Sequence, residues 1–273
     1  MPGRMAHLGR RLTGALRYCG AGAGDLLLPA TCGACATAYV AADGLCEACG
    51  QNLLAMVALP YCPRCGATVG PNIPVREDGC AACPPTLGRF AQVIRLGPYA
   101  PPLRQAIREL KYRRLEALLG RLGELLAMAV EARLGEYPAD VVVPVAMHWR
   151  RRWSRGFDHA AALARRLARR LDLPVGNELV RVRHTPPQAR LSRTARIEMI
   201  RGAFAVRSAA AIEGAHVLLV DDVTTTGATA GEATRMLLNA GALRVTLVVV
   251  AKAEPPTAYG AHFRERPPAA GKP

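Results

Sequence analysis

The chain has 273 residues, 51% of them hydrophobic, enough for one sizeable core and a small satellite module, and its length suits two domains. A formal charge of +15 favours polyanionic partners, whether nucleic acid, acidic lipid or phosphorylated metabolites, without choosing among them. No run approaches the roughly 18 consecutive apolar residues of a membrane-spanning helix, so the expectation is a soluble protein with no transmembrane segment.

The basic N-terminal segment, residues 1–24, carries Arg4, Arg10, Arg11 and Arg17. The run Leu26-Leu27-Leu28 that follows is far below the roughly 7 to 15 apolar residues of a signal-peptide core. A cytoplasmic location is expected, with a peripheral membrane contact as the lesser use of this segment.

Residues 25–88 hold eight of the nine cysteines, in four C-x2-C pairs: Cys32 and Cys35, Cys46 and Cys49, Cys62 and Cys65, Cys80 and Cys83. This spacing lets two thiolates of one tight turn meet a single tetrahedral ion, so eight ligands make two structural zinc (Zn2+) sites. Gly33, Gly50 and Gly66, within or after the knuckles, let backbone amides turn toward the thiolates. Disulfides or a redox dithiol would use the same residues, but a chain without an export signal keeps its thiols reduced, and redox pairs seldom come in fours. An iron–sulfur cluster also takes four thiolates. Sequential sites (32, 35, 46, 49 and 62, 65, 80, 83) need the shortest loops, crossed sites would weave the two ribbons together, and the spacing leaves both open. Such closed sites support folds too small to hold themselves and leave no coordination position for catalysis. Cys19 reads as a buried apolar residue.

Residues 89–253 read as an α/β domain. From Pro102 to Leu134 the stripe Leu103, Ala106, Ile107, Leu110 indicates a helix. Lys111 and Arg113 fall on its polar side; Lys111 reads as an exposed base, with a cover over an active site as the alternative. Val141 to Val145 reads as a strand.

Between His148 and Arg201 stand fourteen arginines and no lysine against four acids, a net of +10. Arg165, Arg166, Arg169 and Arg170 share one face of a helix whose other face is Leu163, Leu167 and Leu171. Trp149 and Trp153 are interleaved with Arg150, Arg151, Arg152 and Arg155, a pattern suited to stacking bases and tracking phosphates. These residues are candidates for a single-stranded DNA contact. A solvated arginine face with both tryptophans packed inward is the competing reading.

From Val217 the chain reads Val-Leu-Leu-Val-Asp-Asp-Val-Thr-Thr-Thr-Gly-Ala-Thr, and a helical pattern (Ala233, Met236, Leu237, Ala240) runs on to Gly241. Apolar Val217 to Val220 suit a strand covered on both faces, with Asp221 and Asp222 at its carboxyl end, where open parallel sheets place ligands. Val223, Thr224, Thr225, Thr226 and Gly227 then form a loop, and the free amides at the helix start, Ala228 and Thr229, suit a phosphate. Adjacent carboxylates beside a phosphate cradle need hydroxyls or a cation. A phosphorylated ribose meets both demands. The bland alternative is an Asp-Asp helix cap followed by a threonine turn. The tail, residues 254–273, with Pro-Pro pairs and few large apolar residues, reads as disordered.

Val217 to Thr229 resembles the signature with which type I phosphoribosyltransferases bind 5-phosphoribosyl-1-pyrophosphate (PRPP). The four knuckles, Leu110-Lys111-Tyr112, Pro144-Val145 with His148, Arg155-Gly156-Phe157, Thr185-Pro186-Pro187-Gln188, Leu191-Ser192-Arg193 and Arg201-Gly202-Ala203-Phe204 together resemble the ComF family of competence and DNA-uptake proteins, from about Asp25 to Lys252. The resemblance implies a double zinc ribbon ahead of a type I phosphoribosyltransferase-like domain with a central parallel sheet. It also implies PRPP and Mg2+ bound at Asp221 to Thr229, with Arg150 or Arg155 near the pyrophosphate, and partners among the DNA-uptake machinery. If PRPP turns over, Asp221 and Asp222 are the catalytic candidates. The chain departs from the family pattern at Ala146, Asp158-His159, Met199 and Ile200. A metabolic phosphoribosyltransferase for a base or amine, and a zinc-ribbon adaptor with the transferase-like domain as scaffold, are the rival readings.

Overall fold

The computed structural model describes residues 31–36, 44–70, 73–76, 79–81, 83–84, 87–113, 116–135, 137–148, 153, 157–183 and 193–255. Cys19, Trp149, Arg150, Arg155, the basic segment 1–24 and the tail from 256 onward lie outside them. In chain order the elements are α1 (Glu47–Val57), β1 (Gln92–Pro98), α2 (Leu103–Arg113), α3 (Glu116–Leu134), β2 (Val141–Pro144), α4 (His159–Leu171), β3 (Leu179–Arg181), α5 (Arg193–Ile200), β4 (Phe204–Val206), β5 (His216–Thr224), α6 (Ala228–Asn239) and β6 (Arg244–Lys252).

The apolar runs of β5 and β6 are buried from Val217 to Val220 and from Val245 to Ala251. Strands so continuously apolar must be covered on both faces, which is the condition of a parallel sheet. The sheet runs in the order β1-β6-β5-β2, all parallel, with Val93 opposite Leu247, Val217 opposite Val245 and Val142 opposite Leu218. Successive side chains point to opposite faces. Ile94, Leu96, Leu218, Val220, Val248 and Val250 therefore enter one core with α1 to α4, while Val93, Val217, Leu219, Val245, Leu247 and Val249 enter another with α6 and the antiparallel pair β3–β4. The expected α/β class with a central parallel sheet is the observed one.

Of the helix expected from Pro102 to Leu134, the stretches Leu103–Arg113 (α2) and Glu116–Leu134 (α3) are helical, and residues 114 and 115 lie outside the described residues. The stripe Leu103, Ala106, Ile107 and Leu110 is buried in α2, and Leu118, Leu122, Leu125, Leu126 and Val130 are buried in α3. Both stretches pack on the sheet. Helix α4 starts at Asp158, whose carboxylate accepts from the Ala161 N–H at 3.0 Å, and ends at Asp172 in the left-handed region (φ 55).

Candidate functional site

The cysteines gather as Cys32, Cys35, Cys46, Cys49 and as Cys62, Cys65, Cys80, Cys83, with the sulfurs of each group within 4.8 Å of one another. Sequential pairing, left open by spacing, is thereby settled. Sulfur separations of 3.8 Å (Cys35–Cys46), 3.7 Å (Cys62–Cys83), 3.7 Å (Cys65–Cys80) and 3.9 Å (Cys80–Cys83) match the edge of about 3.8 Å that a tetrahedron with Zn–S bonds of about 2.3 Å requires. The Ala34 and Cys46 amides point at the Cys32 sulfur at 3.4 and 3.3 Å, as they do toward a thiolate. Gly79 (φ 119) is needed for the last knuckle, since a Cβ there would lie 2.4 Å from the Cys83 sulfur. Burial pushes the Cys49 and Cys65 thiols up, a cost that a bound dication reverses.

The second centre lies at the carboxyl end of β5. The strand does not stop at Val220: β6 runs beside it to Lys252, pairing Val249 with Asp221, Ala251 with Val223 and Lys252 with Thr224. The turn is consequently only Thr225, Thr226 and Gly227. Gly227 is the N-cap of α6 in the left-handed region (φ 78), without a capping side chain, and the Ala228 N–H donates to Thr226 Oγ1 at 3.3 Å. Thr225 is exposed, Thr226, Ala228 and Thr229 are half-buried, and Thr224 is buried. The helix dipole and first-turn amides of α6 thus face a small, hydroxyl-lined turn.

Asp221 and Asp222 stand half-buried above it, and the Asp222 N–H donates to Asp221 Oδ1 at 2.8 Å. Burial pushes the Asp221 carboxyl up to about 7, with the Asp222 charge adding to the rise; the Asp222 N–H and Lys111 oppose it, and Asp158 at the start of α4 adds to it. Lys111 is not a free surface base: its Nζ lies 2.7 Å from Asp222 Oδ2. Arg196 of α5 donates to Thr225 Oγ1 at 3.3 Å, and the Lys252 ammonium donates to the Thr225 carbonyl. The Arg201-Gly202-Ala203-Phe204 segment docks on α6 where the Gly202 N–H donates to Glu232 at 2.7 Å. Glu232 is gripped in turn by Arg235, whose hydrogen bonds hold its carboxyl below the usual range. Acids at one end and a cation-flanked turn at a helix start at the other can hold a hydroxyl or cation and an anion of a single ligand.

The arginine cluster lies apart, in the second half of α4. Arg165 and Arg169 are exposed and Arg170 pairs with Glu131 at 3.4 Å, whereas Arg166 is half-buried where a Cβ on Gly123 of α3 would lie 2.7 Å from its own. The arginine face is therefore three residues wide rather than four. Trp153 is 88% exposed, against the reading that packs it inward. Reasoning from the chain missed Arg196 and Lys252. Both sit within segments whose neighbours drew notice, but nothing local marks a base that meets Thr225.

The Phosphoribosyl transferase domain model matches residues 120–261, and the Double zinc ribbon domain model matches residues 23–85. The chain is 31% identical over 226 residues to the DNA utilization protein YhgH of Salmonella typhi, covering 81% of this chain and 96% of that protein. It is 29% identical over 220 residues to Competence protein F of Haemophilus influenzae, covering 79% and 93%. Among solved structures it is similar to an adenine phosphoribosyltransferase, with 16% identity and a TM-score of 0.37 over 55% of this chain and 78% of that one. Two four-cysteine ribbons ahead of a parallel-sheet phosphoribosyltransferase domain, in a chain alike over nearly the whole length of these relatives, make it a member of the ComF family of DNA-utilization and competence proteins.

Proposed function

We propose that the protein binds PRPP across the carboxyl end of β5, and single-stranded DNA through the arginine face of α4, in the cytoplasm. The observation that carries the first part is the juxtaposition of Asp221 and Asp222 with the turn Thr225–Gly227 at the start of α6. The ribose 2′ and 3′ hydroxyls donate to the carboxylates while the 5′-phosphate lies against the turn, where α6 offers its first amides and Arg196 a cation. Mg2+, when bound with PRPP, shields the pyrophosphate charge. Asp222 already has a cation in Lys111, so ligand entry either displaces the ammonium or recruits it to the pyrophosphate. That same ion pair favours the second reading, a scaffold in which the acids are permanently paired.

Calorimetric titration of the zinc-loaded protein with PRPP and Mg2+, alone and with saturating single-stranded DNA, separates the two. Micromolar binding altered by DNA supports a coupled role in DNA uptake or utilisation; no heat with PRPP leaves the scaffold standing.

A further inference from the structure

We propose that the second ribbon positions the Thr225–Gly227 turn from beneath, through Thr68 and Glu254 as positioning residues; only the ligand readout below rests on the PRPP reading. Glu254 lies two residues beyond β6, yet its side chain is only 4% exposed. A carboxylate so deeply buried must be satisfied. Thr68 donates to it twice, from its N–H at 2.8 Å and from its hydroxyl, and Arg95 of β1, itself 1% exposed, lies 3.5 Å from Oε1 while donating to Thr68 Oγ1 at 2.7 Å. The Arg95 guanidinium stacks over the Tyr61 ring at 4.8 Å, and Tyr61 bridges Thr68 across the knuckle that contains Cys62 and Cys65.

From Glu254 the restraint passes directly to the turn. The Ala253 N–H donates to the Thr224 carbonyl at 2.8 Å, and Lys252 donates to the Thr225 carbonyl. The same knuckle supports the other side. Arg64 donates to the Gly88 and Phe90 carbonyls at 3.1 and 3.0 Å. Gly88 lies so close to α6 that a Cβ on it would stand 2.6 Å from the Gly231 Cα, and Leu87 and Phe90 lie 3.6 and 3.7 Å from the place a Cβ would take on Gly227. Between these two supports is a cavity of about 220 Å³, lined by Cys65, Thr68, Phe90, Thr224, Thr226 and Lys252 among others. Among the described residues, the turn is tied to this support by hydrogen bonds at its ends, Ala253 to Thr224 and Lys252 to Thr225. A turn that places amides against a phosphate needs such support, because misplacement of the donors forfeits the interaction.

The test uses the full-length zinc-loaded protein and three variants, Thr68→Val, Thr68→Ser and Glu254→Gln. Peptide-level hydrogen exchange in the absence of ligand is read at residues 221–232 and, as reference, at α4. Thr68→Val and Glu254→Gln should speed exchange at 221–232 by about tenfold, the scale of one charge-assisted hydrogen bond, with α4 unchanged and both zinc equivalents retained. Thr68→Ser, which keeps the hydroxyl, should stay at the wild-type rate. Unchanged exchange at 221–232, or an equal rise in α4 that reports general loosening, overturns the positioning role. PRPP affinity should fall in the same two variants and hold in Thr68→Ser. A wild-type protein that does not bind PRPP sinks the proposed ligand, yet the exchange experiment still decides the positioning role.

Discussion

Asp221 makes this site sensitive to pH. Its carboxyl is pushed from an ordinary 3.8 to about 7, first by burial and then by Asp222. The folded protein thus holds a proton there that the unfolded chain releases above about 4, and the stability this contributes is lost as pH rises through about 7. Asp221→Asn should melt higher than wild type at pH 8, with the gap closing toward pH 5. Because ribose hydroxyls donate to the ionised carboxylate, PRPP affinity should rise as pH rises through about 7 and then level off, and Asp221→Ala should abolish binding without unfolding the protein. A flat pH profile of calorimetric affinity would count against Asp221 as acceptor. Lys111 helps to hold the Asp221 carboxyl down, so Lys111→Met should move the midpoint of that profile upward; an unmoved midpoint would show that the Lys111–Asp222 pair does not act on Asp221.

Helix α4 shows how one element serves two surfaces. Ala160, Leu163, Ala164, Leu167 and Ala168 are buried in or beside the sheet core, and the amphipathic pattern read from the chain is the face that packs. Asp158 caps this helix with its side chain and brings a third carboxylate toward Asp221. Of the four arginines, Arg166 is taken up by the packing against α3. Replacing only Arg165, Arg169 and Arg170 with Ala should weaken single-stranded DNA binding and flatten the log–log salt slope by about 0.7 for each phosphate no longer neutralised. Fluorescence anisotropy across a salt series measures this, and an unchanged slope would remove α4 from the DNA surface.

At the scale of the molecule, the two cysteine groups have different duties. Cys32 and Cys49 are buried in the main core together with Leu53, Met56, Ile94 and Leu118, whereas Cys62, Cys65 and Cys80 form a small cluster of their own with Val69, beneath the turn. Metal release from either group leaves desolvated thiols, but release from the first also opens the main core. A chelator titration followed by a zinc-sensitive chromophore should release two equivalents per chain, with the melting temperature dropping most steeply as the first group empties. Release of one equivalent, or none with a colour typical of iron–sulfur clusters, would contradict the assignment.

The chain by itself determined whatever rests on neighbours in sequence. The C-x2-C knuckles, the strand-turn-helix from Val217 and the two-faced α4 are legible because their ligands, hydroxyls and apolar stripes recur at spacings set by local geometry. Where β5 ends was decided by its partner β6, since a strand lasts as long as its ladder does. Lys111 with Asp222, Arg196 with Thr225 and Thr68 with Glu254, the last pair 186 residues apart, came only with the tertiary structure. Long-range pairs of this kind leave no periodic trace in the chain, because sheet order and helix packing, not spacing, bring the charges and hydroxyls together.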